Sequence, residues 1–92
     1  MEYVRAHVTI SGRVQGVNFR ANTCQQARVN RVTGWVRNLD DGRVEAVFEG
    51  PRVAVKSLVS WCYGGPGHAR VEHVEVEWDR PTGLEQEFSI HW

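Results

Sequence analysis

The chain has 92 residues, of which 41% are hydrophobic and 24% are charged. This length and composition predict a single globular domain, residues 1–92, with one hydrophobic core. Eleven basic and eleven acidic side chains cancel to a formal net charge of zero, which argues against a protein that attracts nucleic acid or anionic lipid through its overall charge.

The sequence also predicts neither export nor membrane insertion. The first residues, "MEYVRAHV", carry charge where a signal peptide would have its apolar region. No apolar run reaches the roughly 18 residues of a membrane-spanning helix. Cys24 and Cys62 are too few for a disulfide framework. We therefore expect a cytoplasmic protein with reduced thiols and no membrane partner.

The first predicted elements are a strand and a helix joined by a loop that contains glycine. Residues 4–11 alternate between apolar and polar side chains, which indicates a half-buried strand. Apolar residues at helical spacing then predict a helix over about 19–29. The connecting stretch, "SGRVQGVNFR", places Gly12 and Gly16 four residues apart.

A hairpin, a second helix and two strands follow. The segment "GWVRNLDDGRVEAVFEG" alternates on both sides of a "DDG" turn, which is typical of a hairpin. Pro51 suits the first turn of a helix, whose apolar positions run from 54 to 62 before "GGPG" ends it. The stretch "ARVEHVEVEW" predicts a strand with a bulge near His73, and alternation at 88, 90 and 92 predicts a short closing strand.

The resulting order is β-α-β-β-α-β with a short extra C-terminal strand. This order predicts an α+β fold of the ferredoxin-like, split βαβ type, in which two helices cover one face of an antiparallel sheet. Such packing places the start of the first helix beside the end of the second. A disulfide between Cys24 and Cys62 is therefore geometrically possible, although reduced thiols remain the favoured alternative.

The glycine loop is a candidate anion site. Backbone N–H groups at a strand–loop–helix junction converge on an anion, and the helix N-terminus adds about half a positive charge. Arg20 stands in the first helical turn, where a cation is unfavourable unless an anion lies between it and the helix end. The alternative is a tight turn with a solvated Arg20, because the glycine spacing fits neither of the common nucleotide-binding motifs.

Two segments resemble the acylphosphatase family. The segment "GRVQGVNFR" (12–20) matches the signature Gly-x-Val-Gln-Gly-Val-x-(Phe or Tyr)-Arg at every position. The segment 34–50 matches the second signature, Gly-aromatic-small-x-Asn, three residues, Gly-x-Val, five residues, Gly. The resemblance covers essentially the whole chain. One departure is Asn30-Arg31, where many relatives have an apolar residue followed by Gly or Asn, and it places the helix C-cap and one core contact in question.

The resemblance implies hydrolysis of the carboxyl–phosphate bond of acyl phosphates, without metal or cofactor. It assigns phosphate binding to Arg20 and the orientation of water to Asn38. The amide cradle then comprises the loop residues that lead into the helix: Gln15, Gly16, Val17, Asn18 and Phe19, together with Arg20. The expected partners are a small-molecule acyl phosphate and inorganic phosphate or similar anions.

Other functional readings have weaker support. The four histidines are scattered without a pair at metal-ligand spacing, so we expect no metal site. RNA-binding domains share the element order but stack bases on aromatic residues of the central strands, where this chain has only Phe48. A non-catalytic anion-binding or accessory module remains the alternative function. We expect a monomer, and we expect the four tryptophans to pack in the core and against the strands.

Overall fold

Two helices cover one face of a five-stranded sheet in the computed structural model, which describes residues 2–92. The elements, in chain order, are β1 (Tyr3–Arg13), α1 (Phe19–Val29), β2 (Thr33–Asn38), β3 (Val44–Pro51), α2 (Arg52–Gly64), β4 (Arg70–Asp79) and β5 (Phe88–His91). The predicted ferredoxin-like order and the closing strand are confirmed.

The sheet has the strand order β4-β1-β3-β2-β5. The strands β4, β1, β3 and β2 pair antiparallel, whereas β5 pairs parallel with β2, with Gly34 opposite Phe88 and Val36 opposite Ile90. The four strands of the predicted ferredoxin-like sheet are thus antiparallel, and the extra C-terminal strand, whose direction the sequence did not specify, adds a parallel edge. Because β4 runs opposite to β1 and the chain then reverses, β5 runs in the same direction as β1 and β2.

The core lies between the sheet and the two helices. Alternate residues of β1 from Val4 to Ile10 are buried, as their period of two predicts. The buried helical residues repeat at the predicted spacing: Phe19, Thr23, Cys24 and Ala27 in α1, and Val55, Leu58, Val59 and Cys62 in α2.

Both cysteines are free thiols, and both are buried. The structure therefore contains no disulfide between Cys24 and Cys62, the pairing that the helix arrangement left open. Burial in apolar surroundings raises the pKa of the Cys62 thiol to about 12, so this sulfur stays protonated and packs as a small apolar group.

The predicted bulge lies where β4 meets the end of β1. Ser11 pairs with His73 and Gly12 pairs with Val71, which leaves Glu72 as the extra residue. Gly12 has a φ of 124°, and a Cβ there would lie 2.2 Å from the carbonyl oxygen of Arg70. Gly12, the first glycine of the segment 12–20, is thus required for the close approach of β4, and it lies within β1 rather than in the loop.

The end of α1 is closed by two backbone hydrogen bonds. The amide of Arg31 donates to the carbonyl of Arg28 at 3.1 Å, and the amide of Val32 donates to the carbonyl of Ala27 at 2.8 Å. This is a Schellman motif, in which Arg31 takes the left-handed conformation, with a φ of 57°. The C-cap is therefore intact despite the departure at Asn30-Arg31, and Val32 supplies a core contact with 2% exposure.

The start of α2 differs slightly from the prediction. Pro51 is the last residue of β3 and the N-cap of α2, whose first residue is Arg52. The proline therefore precedes the first helical turn instead of lying within it.

A polar cluster holds the β4–β5 connection against the opposite face of the sheet. Arg5 donates to Glu49 at 2.9 Å and forms two parallel hydrogen bonds to Glu85, each 3.1 Å long. Glu49, which is only 4% exposed, also accepts from the backbone amides of Thr82 and Gly83. The hydrogen bond from Arg5 lowers the pKa of the Glu85 carboxyl.

Candidate active site

The loop between β1 and α1, residues 14–18, turns through two left-handed residues. Gly16 has a φ of 75° and the N-cap, Asn18, a φ of 63°. A Cβ on Gly16 would meet no atom within 4 Å, so glycine serves the backbone conformation there and not a lack of space. Two residues in this conformation bend the chain sharply and turn the loop amides toward a common side.

The backbone amides of this loop have no partner among residues 2–92. None of the N–H groups of residues 15–21 donates to a backbone or side-chain acceptor. The N-cap of α1 forms no side-chain hydrogen bond, and the first turn of α1 contains no acidic residue. These donors, together with the positive end of the helix dipole, therefore remain available to an anion.

Apolar side chains hold the loop in place from beneath. Val14 is 1% exposed and Phe19 is 2% exposed, and the Phe19 ring packs against Trp61 with their centroids 5.4 Å apart. Val17 packs against the same core. The loop thus has two kinds of residue, because these side chains pack against the core while Gly16 and Asn18 between them are exposed.

Arg20 projects from the first turn of α1. Its guanidinium carbon lies 4.2 Å from the centroid of the Trp92 ring, a distance typical of a cation–π contact. Arg20 forms no ion pair with an acidic side chain of residues 2–92. Its positive charge is therefore positioned by an aromatic ring and not neutralised by a carboxylate.

Asn38 is the last residue of β2, directly before the hairpin turn. Its side-chain amide neither donates nor accepts a hydrogen bond among the described residues, and it lines the pocket, so both its oxygen and its nitrogen are available to a ligand. The neighbouring hairpin is attached to the loop by Gln15, whose side-chain nitrogen donates to the carbonyls of Leu39 at 2.8 Å and Arg43 at 2.9 Å.

These elements enclose a pocket of about 160 Å³. It is lined by residues from the loop, the first turn of α1, the end of β2 and the region of β5: Val14, Gln15, Gly16, Asn18, Phe19, Arg20, Ala21, Asn38, Ile90 and Trp92. The lining contains one arginine and no acidic side chain. A small anion is thus the complementary ligand, with a guanidinium fork and free amides as its donors.

The structure brings together nearly all of the residues that the sequence predicted for the site. The pocket just described is lined by six of the predicted residues: Gln15, Gly16, Asn18, Phe19, Arg20 and Asn38. Val17 does not line it, because its side chain packs against the core. Only the backbone amide of Val17 is available to a ligand.

Sequence reasoning missed the contribution of β5. Trp92 was expected to pack in the core but is 94% exposed, and Trp78 is 48% exposed. The available signal was the alternation of Phe88, Ile90 and Trp92, which places all three on the face of the sheet that α1 covers. The position of Trp92 beside Arg20 depends on which strand β5 pairs with, and alternation alone does not specify that partner.

The described residues contain no group of three or more His, Cys, Asp or Glu side chains that could hold a metal ion. None of the helices of residues 2–92 is both long enough and apolar enough to cross a membrane. The two central strands carry two aromatic residues, Tyr3 at the exposed start of β1 and Phe48 within β3. Phe48 is fully buried and stacks on Phe88 with centroids 5.7 Å apart. Phe48 therefore offers no surface on which an RNA base could stack.

The sequence and the fold both match known proteins. The family model described as acylphosphatase matches residues 6–90. The acylphosphatase of Roseiflexus sp. is 67% identical over 92 residues, which cover 100% of this chain and 99% of that protein. The acylphosphatase of Chloroflexus aurantiacus is 66% identical over the full length of both chains. The crystal structure of the Bacillus subtilis acylphosphatase superposes with a TM-score of 0.93 at 36% identity, over 97% of this chain and 99% of that one.

The family model covers nearly the whole chain, and the two bacterial relatives match it end to end. The pocket lies at the segment 12–20, which carries the first family signature. This chain belongs to the acylphosphatase family, the enzymes that hydrolyse acyl phosphates.

Proposed function

We propose that this chain hydrolyses acyl phosphates by holding the phosphoryl group against Arg20 and the amides of residues 15–20 while Asn38 orients the attacking water. The observation that carries this mechanism is the pocket itself. It combines unpartnered amides, an unneutralised guanidinium and a free carboxamide in a space of about 160 Å³.

The chemistry of the substrate explains why so few groups suffice. The leaving group of an acyl phosphate is a carboxylate, whose conjugate acid has a pKa of about 4, like that of aspartic acid. It departs at neutral pH without first accepting a proton. An ordinary phosphate ester expels an alkoxide, which usually needs a general acid or a metal ion. A pocket without an acidic or histidine side chain therefore suits a labile acyl phosphate better than a phosphate monoester.

The cradle contributes by positioning and by electrostatic stabilisation, the main demands of phosphoryl transfer. Arg20 presents a planar pair of donors that matches two phosphoryl oxygens, and the free amides are left to donate to the remaining oxygen. Each donor whose hydrogen bond strengthens by about 1.4 kcal/mol in the transition state increases the rate about tenfold. Three such donors account for about a thousandfold.

Asn38 is suited to orientation rather than to proton abstraction. A carboxamide oxygen accepts a hydrogen bond from water, and its nitrogen donates to a phosphoryl oxygen, but the group is too weak a base to take a proton fully. The water retains its protons until the phosphoryl transfer is advanced, when they pass to the phosphate oxygens or to solvent.

Steady-state hydrolysis of acetyl phosphate and benzoyl phosphate, measured with a chelator present, tests this proposal. Asn38→Ala should lower kcat at least tenfold and leave inhibition by inorganic phosphate nearly unchanged, because it removes the group that orients water and leaves the cradle intact. Arg20→Ala and Arg20→Lys should lower kcat and weaken phosphate inhibition together. Arg13→Ala, at an exposed arginine at the end of β1, is the matched control and should hydrolyse at the wild-type rate.

The same measurements separate the enzyme from a non-catalytic anion-binding module. A module would bind inorganic phosphate through Arg20 and the amides but would release neither carboxylate nor phosphate from acetyl phosphate. Normal kcat in the Asn38→Ala variant would refute the role assigned to Asn38.

We also propose that the enzyme acts as a monomer in the cytoplasm. Arg20, Asn38 and the amide cradle belong to the same chain, as a monomeric enzyme requires. The two free thiols are consistent with a reducing compartment. Light scattering coupled to size-exclusion chromatography should give a mass close to 10.5 kDa, and a dimer with full activity would refute the monomer proposal.

A further inference from the structure

The side chain of Gln15 lies at the edge of the pocket but is occupied elsewhere. Its amide nitrogen carries two hydrogens, and the structure places two backbone carbonyls as their acceptors, those of Leu39 at 2.8 Å and Arg43 at 2.9 Å. With both hydrogens used, this group has none left for a phosphate. Its remaining oxygen only accepts hydrogen bonds and would repel a phosphate dianion.

The two carbonyls flank the turn that follows Asn38. That turn already has its own closing bonds, because the amide of Leu39 donates to the carbonyl of Arg43 at 2.8 Å and the amide of Gly42 donates to the carbonyl of Leu39 at 3.2 Å. The hydrogen bonds from Gln15 are therefore not needed to form the hairpin. They join two segments that lie 24 and 28 residues apart in the sequence.

The loop side of this connection is also fixed. The preceding residue, Val14, is 1% exposed and is part of the core, and the following residue, Gly16, begins the turn of the cradle. Gln15 therefore connects a rigid point of the phosphate loop to the residue directly after Asn38. A displacement of the hairpin at this point would move Asn38 relative to the cradle.

We propose that Gln15 is a positioning residue, which sets the distance between the amide cradle and the carboxamide of Asn38. This inference rests on the proposed roles of Arg20 and Asn38. It predicts that loss of the connection impairs the attack by water and leaves the binding of phosphate unchanged. A misplacement of about 1 Å is sufficient to lower a rate up to about a hundredfold.

Gln15→Met removes both donors at similar side-chain size, and Gln25→Met, at an exposed glutamine of α1, is the matched control. We expect Gln15→Met to lower kcat about tenfold and to change the inhibition constant of inorganic phosphate less than twofold, with Gln25→Met unchanged in both. A purely structural role would lower the melting temperature without this separation of kcat from phosphate binding. Wild-type kcat, or an equal loss in phosphate binding, would overturn the inference.

A double-mutant cycle with Asn38→Ala then tests the coupling. If Gln15 acts through Asn38, adding Gln15→Met to the Asn38→Ala variant should lower kcat less than twofold further. A second full tenfold loss in the double variant would refute only the positioning role of Gln15, because the loss in the single Asn38→Ala variant would still show that Asn38 is required. Wild-type kcat in the single Asn38→Ala variant would instead refute the proposed mechanism, and the inference with it.

Gln15→Glu supplies an independent readout if the methionine variant does not fold. An ionised carboxylate has no hydrogen to donate to the two carbonyls, whereas the protonated acid donates to one of them. The ratio of its kcat to that of the wild type should therefore rise at least threefold between pH 7 and pH 4.5. A ratio that does not vary with pH would overturn the inference.

Discussion

Replacing Arg31 with glycine should stabilise the protein, although it removes a long side chain. Arg31 has a φ of 57°, a conformation that costs residues with a Cβ roughly 1–2 kcal/mol. Glycine avoids that cost but loses about 0.5–1 kcal/mol more backbone entropy on folding. The Arg31 side chain is exposed and takes part in none of the ion pairs of residues 2–92, so its loss adds no further cost. We expect Arg31→Gly to raise the free energy of unfolding by about 0.5–1 kcal/mol.

Thermal and urea-induced unfolding, followed by circular dichroism, measure this gain. For 92 residues the entropy of unfolding is about 0.19 kcal/mol/K, so the melting temperature should rise about 3–5 °C. Gln25→Gly, at an exposed position within α1, is the matched control and should lose about 0.5–1 kcal/mol, because helical backbone gains nothing from glycine. Equal or lower stability of Arg31→Gly would refute the strain assigned to the Schellman position.

Three further predictions follow from contacts in the structure. Trp92→Ala should lower kcat/KM about two- to fivefold, the equivalent of a cation–π contact of 0.5–1 kcal/mol that holds Arg20, and Trp92→Phe should retain most of the activity. In the native protein the buried thiol of Cys62, with a pKa of about 12, should react with a thiol reagent at pH 8 only at the rate of unfolding, and two thiols should titrate in denaturant without reductant. Glu85→Gln should lose about 1 kcal/mol at pH 7. Because the pKa of Glu85 is lowered in the folded state, urea unfolding should show this deficit shrinking as the pH falls below about 4.3.

The helices and strands were predictable because burial follows simple periods. The helix expected over about 19–29 is Phe19–Val29, and the bulge expected near His73 lies at Glu72. The direction of β5 was not predictable from its alternation, since a half-buried strand has the same period whether it pairs parallel or antiparallel. The direction of β5 follows from the reversal of the chain after β4 and from the pairing of β5 with β2, and both depend on the order of the strands in the complete sheet.

The pocket was predictable to the extent that its residues are close in the sequence. The cradle and Arg20 lie in one segment of the motif, and the second motif contains Asn38. The contacts of Arg20 with Trp92 and of Gln15 with the hairpin join residues far apart in the chain. Such contacts depend on the pairing of strands and on side-chain orientation, and a local pattern specifies neither.

The parallel pairing of β5 with β2 has a consequence for the order in which the enzyme assembles. One wall of the pocket comes from residues near the start of the chain and another from Ile90 and Trp92. Joining them closes a long loop, a slow event compared with the formation of a helix. During refolding, hydrolytic activity should thus return after the helical signal, with the arrival of the final strand.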